Sequence, residues 1–502
     1  MIVRSGNCFH VELFFLMGLR MKIIGRQWEK SLLTDILESN KPEFLVIHGR
    51  RRIGKTYLIR EFFEGRENAI FFNITGSKNT SLTSQIGRFT EQIGLVFYNL
   101  TDLQSGKNWE AAFKKLTEAI GNAPMHKKII LFLDEFPWLA TKNSRLLGTL
   151  DYYWNHHWSR DPRIKLILCG SSASWIVKKI INNRGGLHNR ITQKICLLPF
   201  TLAETKEFLE ANMIYLDLPQ IVQLYMVMGG IPYYLNHVKK GLSVADNVDY
   251  LAFQKDGILR TEFDNLFASL FDNYEDHIRL IRLIALHRYG IGQEEILKSL
   301  WKNSKGSTGL EMLKNLEHAG FIQRFKPYAA KRKGIYYKII DEYTLFYLDW
   351  IEPILGATIN SFEEHYWYSQ INTPKWHAWA GYAFESICYK HVQKIKEGLK
   401  IKVPALASTW RFAAKNTQGA QVDLLFDRMD DTITLCEIKF TNTPFLIDKT
   451  YAINLEDKIN IFKKVTQTQK QIFLSMISAQ GLASSKYNEK LISGVVSLSE
   501  LF

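Results

Sequence analysis

The sequence predicts an α/β protein: a parallel sheet with helices on both faces, then a helical segment, a winged helix and a second α/β unit. Three observations lead there. Between residues 44 and 199, five short apolar runs alternate with helical stretches. The stretch GRRRIGKT, residues 49–56, follows the first run and opens a helix. Near the C-terminus, TITLCEIKF (432–440) is strand-like yet carries Glu437 and Lys439 two residues apart.

The runs are FLVIH (44–48), AIFFNI (69–74), KIILFLDEF (128–136), KLILCGSS (165–172) and KICLLP (194–199). Continuous apolar runs separated by helices are the pattern of parallel strands buried on both faces. Residues 27–40 precede them with helical spacing, marked by Trp28, Leu32, Leu33, Ile36 and Leu37. After Pro199, TLAE (201–204) forms a capping box, and residues 201–250 read as helical with a break at GGIP (229–232). Over 277–340 three short helices precede the strands of IQRFKP and GIYYKII, which makes a winged helix. Its wing loop carries Lys331, Arg332 and Lys333, suited to phosphate contact. A long helix is expected at 375–397, then strands, then an amphipathic tail. The expected boundaries are an extension at 1–20, a nucleotide domain at 21–200, a helical lid at 201–254, the winged helix at 255–345 and the last unit at 346–502.

Composition limits the function classes. At 46% hydrophobic and 23% charged, the chain can build real cores and is not a disordered polymer. A net charge of +14 favours a polyanionic partner, with DNA as the expected one. Cys8, Cys169, Cys196, Cys388 and Cys436 include no CxxC pair, so a reducing, cytoplasmic setting is expected, without a disulfide or zinc framework. The opening MIVRSGNCFHVELFFLMGLR has only a short apolar run interrupted by Glu12, and Met21 begins a natural domain start. Residues 1–20 therefore read as the product of a misassigned start codon. No run of about 18 apolar residues exists, so no membrane-spanning helix is expected.

GRRRIGKT matches the phosphate-loop pattern G-x-x-x-x-G-K-[ST]. Gly49 and Gly54 let the backbone curl. The N–H groups of Gly49, Arg50, Arg51, Arg52, Ile53 and Gly54 can then face an anion at a helix N-terminus. Lys55 suits the β- and γ-phosphates of ATP, and Thr56 suits Mg²⁺. Asp134 ends an apolar strand and is the expected second Mg²⁺ ligand; Glu135 can orient or deprotonate the attacking water. Ser171, at the end of the fourth run, can sense the γ-phosphate or simply terminate the strand. Arg190 can act as an arginine finger or sensor, and as a finger acting in trans it needs a second copy of the chain.

IIGRQWEKSLL (23–33), GRRRIGKT, LFLDEF, LILCGSSAS (166–174), GLHNR (186–190) and GGIPYYL (229–235) together resemble the AAA+-related P-loop ATPases of the STAND type, the group called archaeal-type ATPases. The resemblance spans residues 21–345. It implies strand order 5-1-4-3-2 with a helical lid, and a position for Arg26 near the nucleotide base.

The charges in TITLCEIKF need an explanation. Glu437 and Lys439 share one face of a strand, so that face is either wet or part of a site. Asp423, in AQVDLLF, lies on the preceding strand of a hairpin and can come within about 5 Å of Glu437 between Cβ atoms. Glu385 lies on the edge of an amphipathic stripe upstream. Carboxylates this close suit Mg²⁺, with Lys439 placed to position a water or offset developing charge. Glu385, Asp423 and Glu437-x-Lys439 resemble the PD-(D/E)XK nucleases over residues 350–502, although Val422 stands where the family name has proline. The resemblance implies ATP-controlled, metal-dependent DNA cleavage. The alternative is a nucleotide-dependent switch or DNA-binding regulator with a catalytically inactive nuclease fold.

Overall fold

The computed structural model describes residues 23–141, 143–182, 186–300, 307–329, 334–355, 365–413 and 419–502. The chain divides into two compact units, one ending at Leu198 and the other running from Pro199 to Phe502.

The first unit is built on five parallel strands: β1 (Glu43–Gly49), β2 (Ala69–Thr75), β3 (Lys128–Asp134), β4 (Ile164–Gly170) and β5 (Gln193–Leu197). Their order across the sheet is β2-β3-β4-β1-β5, which is 5-1-4-3-2 read from the other edge, as expected. Every residue of β4 is buried, which explains why its sequence shows no polar alternation. The principal helices are α1 (Gln27–Glu38), α2 (Lys55–Phe63), α3 (Leu82–Ile93), α4 (Trp109–Asn122) and α5 (Leu146–His156). Phe72, Phe89, Trp109, Phe113 and Trp158 form an aromatic core with ring centroids 5.1–6.0 Å apart. Because the strands are parallel, Gly49, Asp134 and Gly170 all end at one edge, where such sheets bind ligands.

The second unit begins with α6 (Leu202–Ala211), whose Thr201–Glu204 capping box forms as expected, followed by α7 (Leu218–Met228) and α8 (Ile258–Leu270). The break at Gly229–Gly230 has a packing cause: a Cβ on Gly230 would lie 2.0 Å from the Phe200 carbonyl oxygen. Next come α9 (Tyr274–Ala285), β6 (Ile291–Gly292), α10 (Gln293–Leu300), α11 (Ser307–His318), β7 (Ile322–Phe325) and β8 (Tyr336–Ile339). The strands pair antiparallel in the order β6-β8-β7, so the expected two-stranded hairpin gains a third, very short strand. Lys331, Arg332 and Lys333 lie outside the described residues.

The long helix expected at 375–397 is two helices, α12 (Pro374–Lys390) and α13 (Val392–Gly398). His391 separates them with φ −107° and ψ 25°. Its ring bonds in two directions: Nδ1 to the Ile387 carbonyl at 2.8 Å, and Nε2 accepts the Leu202 N–H at 3.1 Å. Five further strands follow: β9 (Ala405–Phe412), β10 (Ala420–Arg428), β11 (Thr432–Lys439), β12 (Gln471–Ser478) and β13 (Gly494–Val496). They order as β13-β12-β11-β10-β9, antiparallel from β9 to β11 and parallel from β11 to β13. The crossover from β11 to β12 is α14 (Lys449–Thr466). Leu455 and Phe462 of α14 pack with Trp410, Leu425 and Leu435 of the sheet.

Phe113 is fully buried and touches four other aromatic rings. Phe113→Ala is expected to cost about 3–5 kcal/mol of unfolding free energy in urea melts, the usual loss when a buried ring is replaced by a cavity.

Candidate functional site

At the phosphate loop, local geometry follows from the sequence. Gly49 has φ 145°, and a Cβ there would meet the Leu197 carbonyl oxygen at 2.2 Å. Gly54 caps α2 at φ 86°, and Arg52 adopts φ 71°, so the loop turns tightly into the helix N-terminus. Lys55 is buried beneath the loop and donates to the carbonyls of Gly49 at 3.0 Å and Arg50 at 2.8 Å. Burial lowers its pKa, opposed by Cys169, Glu135 and Asp134. The Thr56 hydroxyl donates to Asp134 Oδ2 at 2.8 Å, and the Glu135 N–H donates to Oδ1 at 2.9 Å. The hydroxyl in the first turn of α2 and the carboxylate ending β3 are thus side by side, a pair of hard oxygen donors.

Glu135 sits in left-handed backbone at φ 45°, which turns its side chain toward β4. Its Oε2 accepts the Ser171 N–H at 3.0 Å and the Ser171 hydroxyl at 2.9 Å. The two residues that sequence reasoning assigned separately are therefore bonded to each other. Arg26 is buried, with φ 55°; its guanidinium donates to the Ile53 carbonyl at 3.4 Å and pairs with Glu29 at 3.6 Å. It braces the phosphate loop from below. Arg51 and Ile53 complete the loop, Ile53 buried and Arg51 half-buried. Arg190 is exposed at the end of a short turn, and no described contact joins it to Lys55, Thr56 or Asp134.

In the second unit, a cavity of about 340 Å³ is lined by Glu385, Asp423, Glu437 and Lys439, all four of the residues expected there. Leu424 faces Cys436 across β10 and β11, and the same register carries Asp423 opposite Glu437. The pairing of β10 with β9 shifts between Val422 and Leu425, a bulge at Asp423 that breaks the ladder beside the cavity. Asp423 is 8% exposed and Glu437 3% exposed. Asp423 accepts the Ile438 N–H at 3.0 Å and the Gln421 amide at 3.3 Å. Burial, then the nearby Asp423 carboxylate, push the Glu385 carboxyl up to about 8. The same two causes raise Glu437, opposed by Lys458.

Lys458, Tyr451 and Tyr289 were not singled out by sequence reasoning. Lys458 forms an ion pair with Glu437 Oε1, and the Tyr451 hydroxyl donates to Oε2 at 3.3 Å. Tyr451, Asn454, Lys458 and Ile461 recur at steps of three and four along α14, a stripe that could have marked them. Tyr289, between α9 and β6, also lines the cavity; nothing in its sequence neighbourhood signals this. Lys338, on β8, lies 3.1 Å from the centroid of the Tyr389 ring, and burial lowers its pKa to about 7, opposed by Glu385. Among the described residues, no three His, Cys, Asp or Glu side chains stand in metal-holding geometry. Glu437's oxygens are already engaged, so the three carboxylates share a cavity without forming a ready cage.

A parallel sheet of this order with a phosphate loop between β1 and α2 defines a P-loop ATPase-type domain. Residues 24–238 match the model of an ATPase domain predominantly from Archaea. The chain is 28% identical over 407 residues to an uncharacterized protein, MJECL04, of Methanocaldococcus jannaschii, covering 80% of this chain and 83% of that one. Among solved structures it is similar to a Walker-type ATPase of Pyrococcus abyssi, at 21% identity and TM-score 0.43, over 65% of this chain and 96% of that one. It is also similar to the ORC2 protein of Aeropyrum pernix in its ADPNP–ADP complexes, at 16% identity and TM-score 0.42, over 67% and 96% of the two chains. No helix among the described residues is long and apolar enough to cross a membrane.

The raised Glu385 carboxyl has a consequence for stability. The folded chain holds this proton up to about pH 8, whereas the ordinary value is 4.5, so wild-type stability falls as pH rises between those values. Glu385→Gln removes that loss. In metal-free buffer the variant is expected to gain on wild type progressively from pH 5 to pH 8, by an amount on the order of a few kcal/mol, read by denaturant melts.

Proposed function

We propose that this protein is an ATP-hydrolysing switch whose nucleotide state controls metal-dependent DNA cleavage by its C-terminal region. The observation that carries the reading is the meeting of Glu385, Asp423, Glu437 and Lys439, from three separate elements, around one cavity. Buried acids that repel one another are costly to a merely structural region and useful to a site that takes a cation.

At the nucleotide, Lys55 leaves the carbonyls of its own loop for the β- and γ-phosphates, and the loop N–H groups hold the remaining oxygens. Thr56 and Asp134 would hold Mg²⁺, which when bound neutralises phosphate charge. Glu135 orients or deprotonates the attacking water, and Ser171, its bonding partner, senses the γ-phosphate. Arg26 supports the loop near the base. Arg190, being exposed, is available to act on a second copy of the chain.

In the C-terminal region, read as a PD-(D/E)XK nuclease-like domain over 346–502, Asp423, Glu437 and Glu385 would hold Mg²⁺. All are hard oxygen donors, and burial with the nearby Asp423 carboxylate pushes Glu385 up, a cost that a bound cation would relieve. When bound, the ion supplies a nucleophilic water and charge stabilisation. Lys439 would position a water in the cleft and offset charge on the phosphate. The region 255–345, read as a winged helix, is the proposed DNA-contacting element, with the lid over 201–254 linking it to the ATPase domain.

A second reading is favoured by one observation. Both Glu437 oxygens are already bonded within the chain. In this reading the C-terminal fold is inactive and the protein is a nucleotide-dependent DNA-binding regulator.

The test is cleavage of plasmid and single-stranded DNA with Mn²⁺ or Mg²⁺, with and without ATP. Lys439→Ala is expected to lower cleavage by about two orders of magnitude or more, with nucleotide binding intact. Lys55→Ala is expected to lose nucleotide binding and to abolish the effect of ATP on cleavage. Intact DNA under every condition, with nucleotide still bound, overturns cleavage and leaves the regulator.

A further inference from the structure

Two lysines line the C-terminal cavity, and they behave differently. Lys439, on the strand, makes no ion pair with a described carboxylate; its ammonium lies 5.4 Å from the Tyr451 ring centroid and 6.0 Å from that of Phe445. Lys458, on α14, is bonded to Glu437. The acid of the E-x-K pair is thus neutralised from the helix and not by its own strand neighbour.

The arrangement answers an electrostatic problem. Asp423 and Glu437 are both nearly dry, and Glu385 lines the same cavity. Leaving Glu437 ionised and unpaired at 3% exposure would be strongly unfavourable. One ammonium offsets part of that repulsion. A divalent ion held by the same carboxylates would offset more, but the Lys458 ammonium already sits on Oε1 and repels a second cation at that oxygen. The lysine side chain is 20% exposed on a flexible four-carbon stem, so its head has a path to water. The Tyr451 hydroxyl, by contrast, can remain on Oε2 and keep the carboxylate oriented.

We propose that Lys458 is the resident counter-cation of Glu437 and that a divalent ion must displace it to load the cleft. Lys458 is then a positioning residue: it preserves the carboxylate geometry of the unloaded site and sets the threshold for metal entry. This inference rests on the reading that the cleft takes a divalent cation.

The experiment is Mn²⁺ titration of the full-length chain, followed by the loss of free Mn²⁺ signal in electron paramagnetic resonance. It is run without nucleotide and on an Asp134→Asn background, so that the nucleotide site does not contribute. Adding Lys458→Met is expected to tighten Mn²⁺ binding by about tenfold or more, because a competitor for the same oxygens has gone. Adding Glu437→Gln to that variant is expected to abolish the gain. Lys458→Gln, which keeps a neutral donor beside Glu437, carries the same expectation if the methionine variant does not fold by circular dichroism. Equal or weaker Mn²⁺ binding without Lys458 overturns the inference and leaves the metal reading standing. Absence of binding with and without Lys458 overturns the metal reading, and the inference with it.

Discussion

The hydrogen bond from Thr56 to Asp134 joins the first turn of α2, just after the phosphate loop, to the end of β3, which β4 separates from β1 in the sheet, and the first unit is organised so that it can exist. Asp134 is 2% exposed, and an ionised carboxylate at that depth persists only with donors on its oxygens. Thr56 supplies one and the Glu135 N–H the other. Lys55, also buried, is held by two carbonyls of its own loop. The loop's lysine and the carboxylate ending β3 are thus held in the dry interior with their hydrogen bonds already made.

The same constraint governs the second unit with a different solution. Asp423 is satisfied by the backbone N–H of Ile438 on the adjacent strand β11, and Glu437 by a lysine and a tyrosine from the crossover helix. Glu385 has neither arrangement, and its carboxyl rises accordingly. Burial and the Asp423 carboxylate raise Glu437 as well, and its partner Lys458 offsets only part of that push.

Much of the nucleotide site was legible because its parts are local. Gly49, Gly54, Lys55 and Thr56 lie within eight consecutive residues from the end of β1 to the first turn of α2, and the left-handed backbone at the two glycines is what that residue type favours. Asp134 was legible because a strand that is apolar to its last residue announces where it ends. The bond between Glu135 and Ser171 was not, since it depends on β3 and β4 being neighbours in the sheet and on left-handed backbone at Glu135. In the C-terminal cleft, Glu385, Asp423, Glu437 and Lys439 were found because charge interrupts otherwise apolar periodicity. Lys458 lies on an amphipathic helix where lysine is ordinary, and Tyr289 lies outside the 346–502 region altogether, so neither interrupts anything. The expected helix over 375–397 is split at His391, whose ring accepts the distant Leu202 N–H at Nε2 while Nδ1 donates to the Ile387 carbonyl one turn back.

From sequence alone come the parallel sheet, the phosphate loop with its strand and helix, and the identity of the four charged residues at the cleft. Each is written in short-range periodicity or in a motif whose spacing is set by backbone geometry. Only the tertiary structure decided which charges pair. Lys458 and not Lys439 meets Glu437, Arg26 braces the loop carbonyl of Ile53, and Ser171 holds Glu135. Pairing in a dry interior is set by which side chain's reach and direction bring it to within about 3 Å, and that distance depends on elements far apart in the chain.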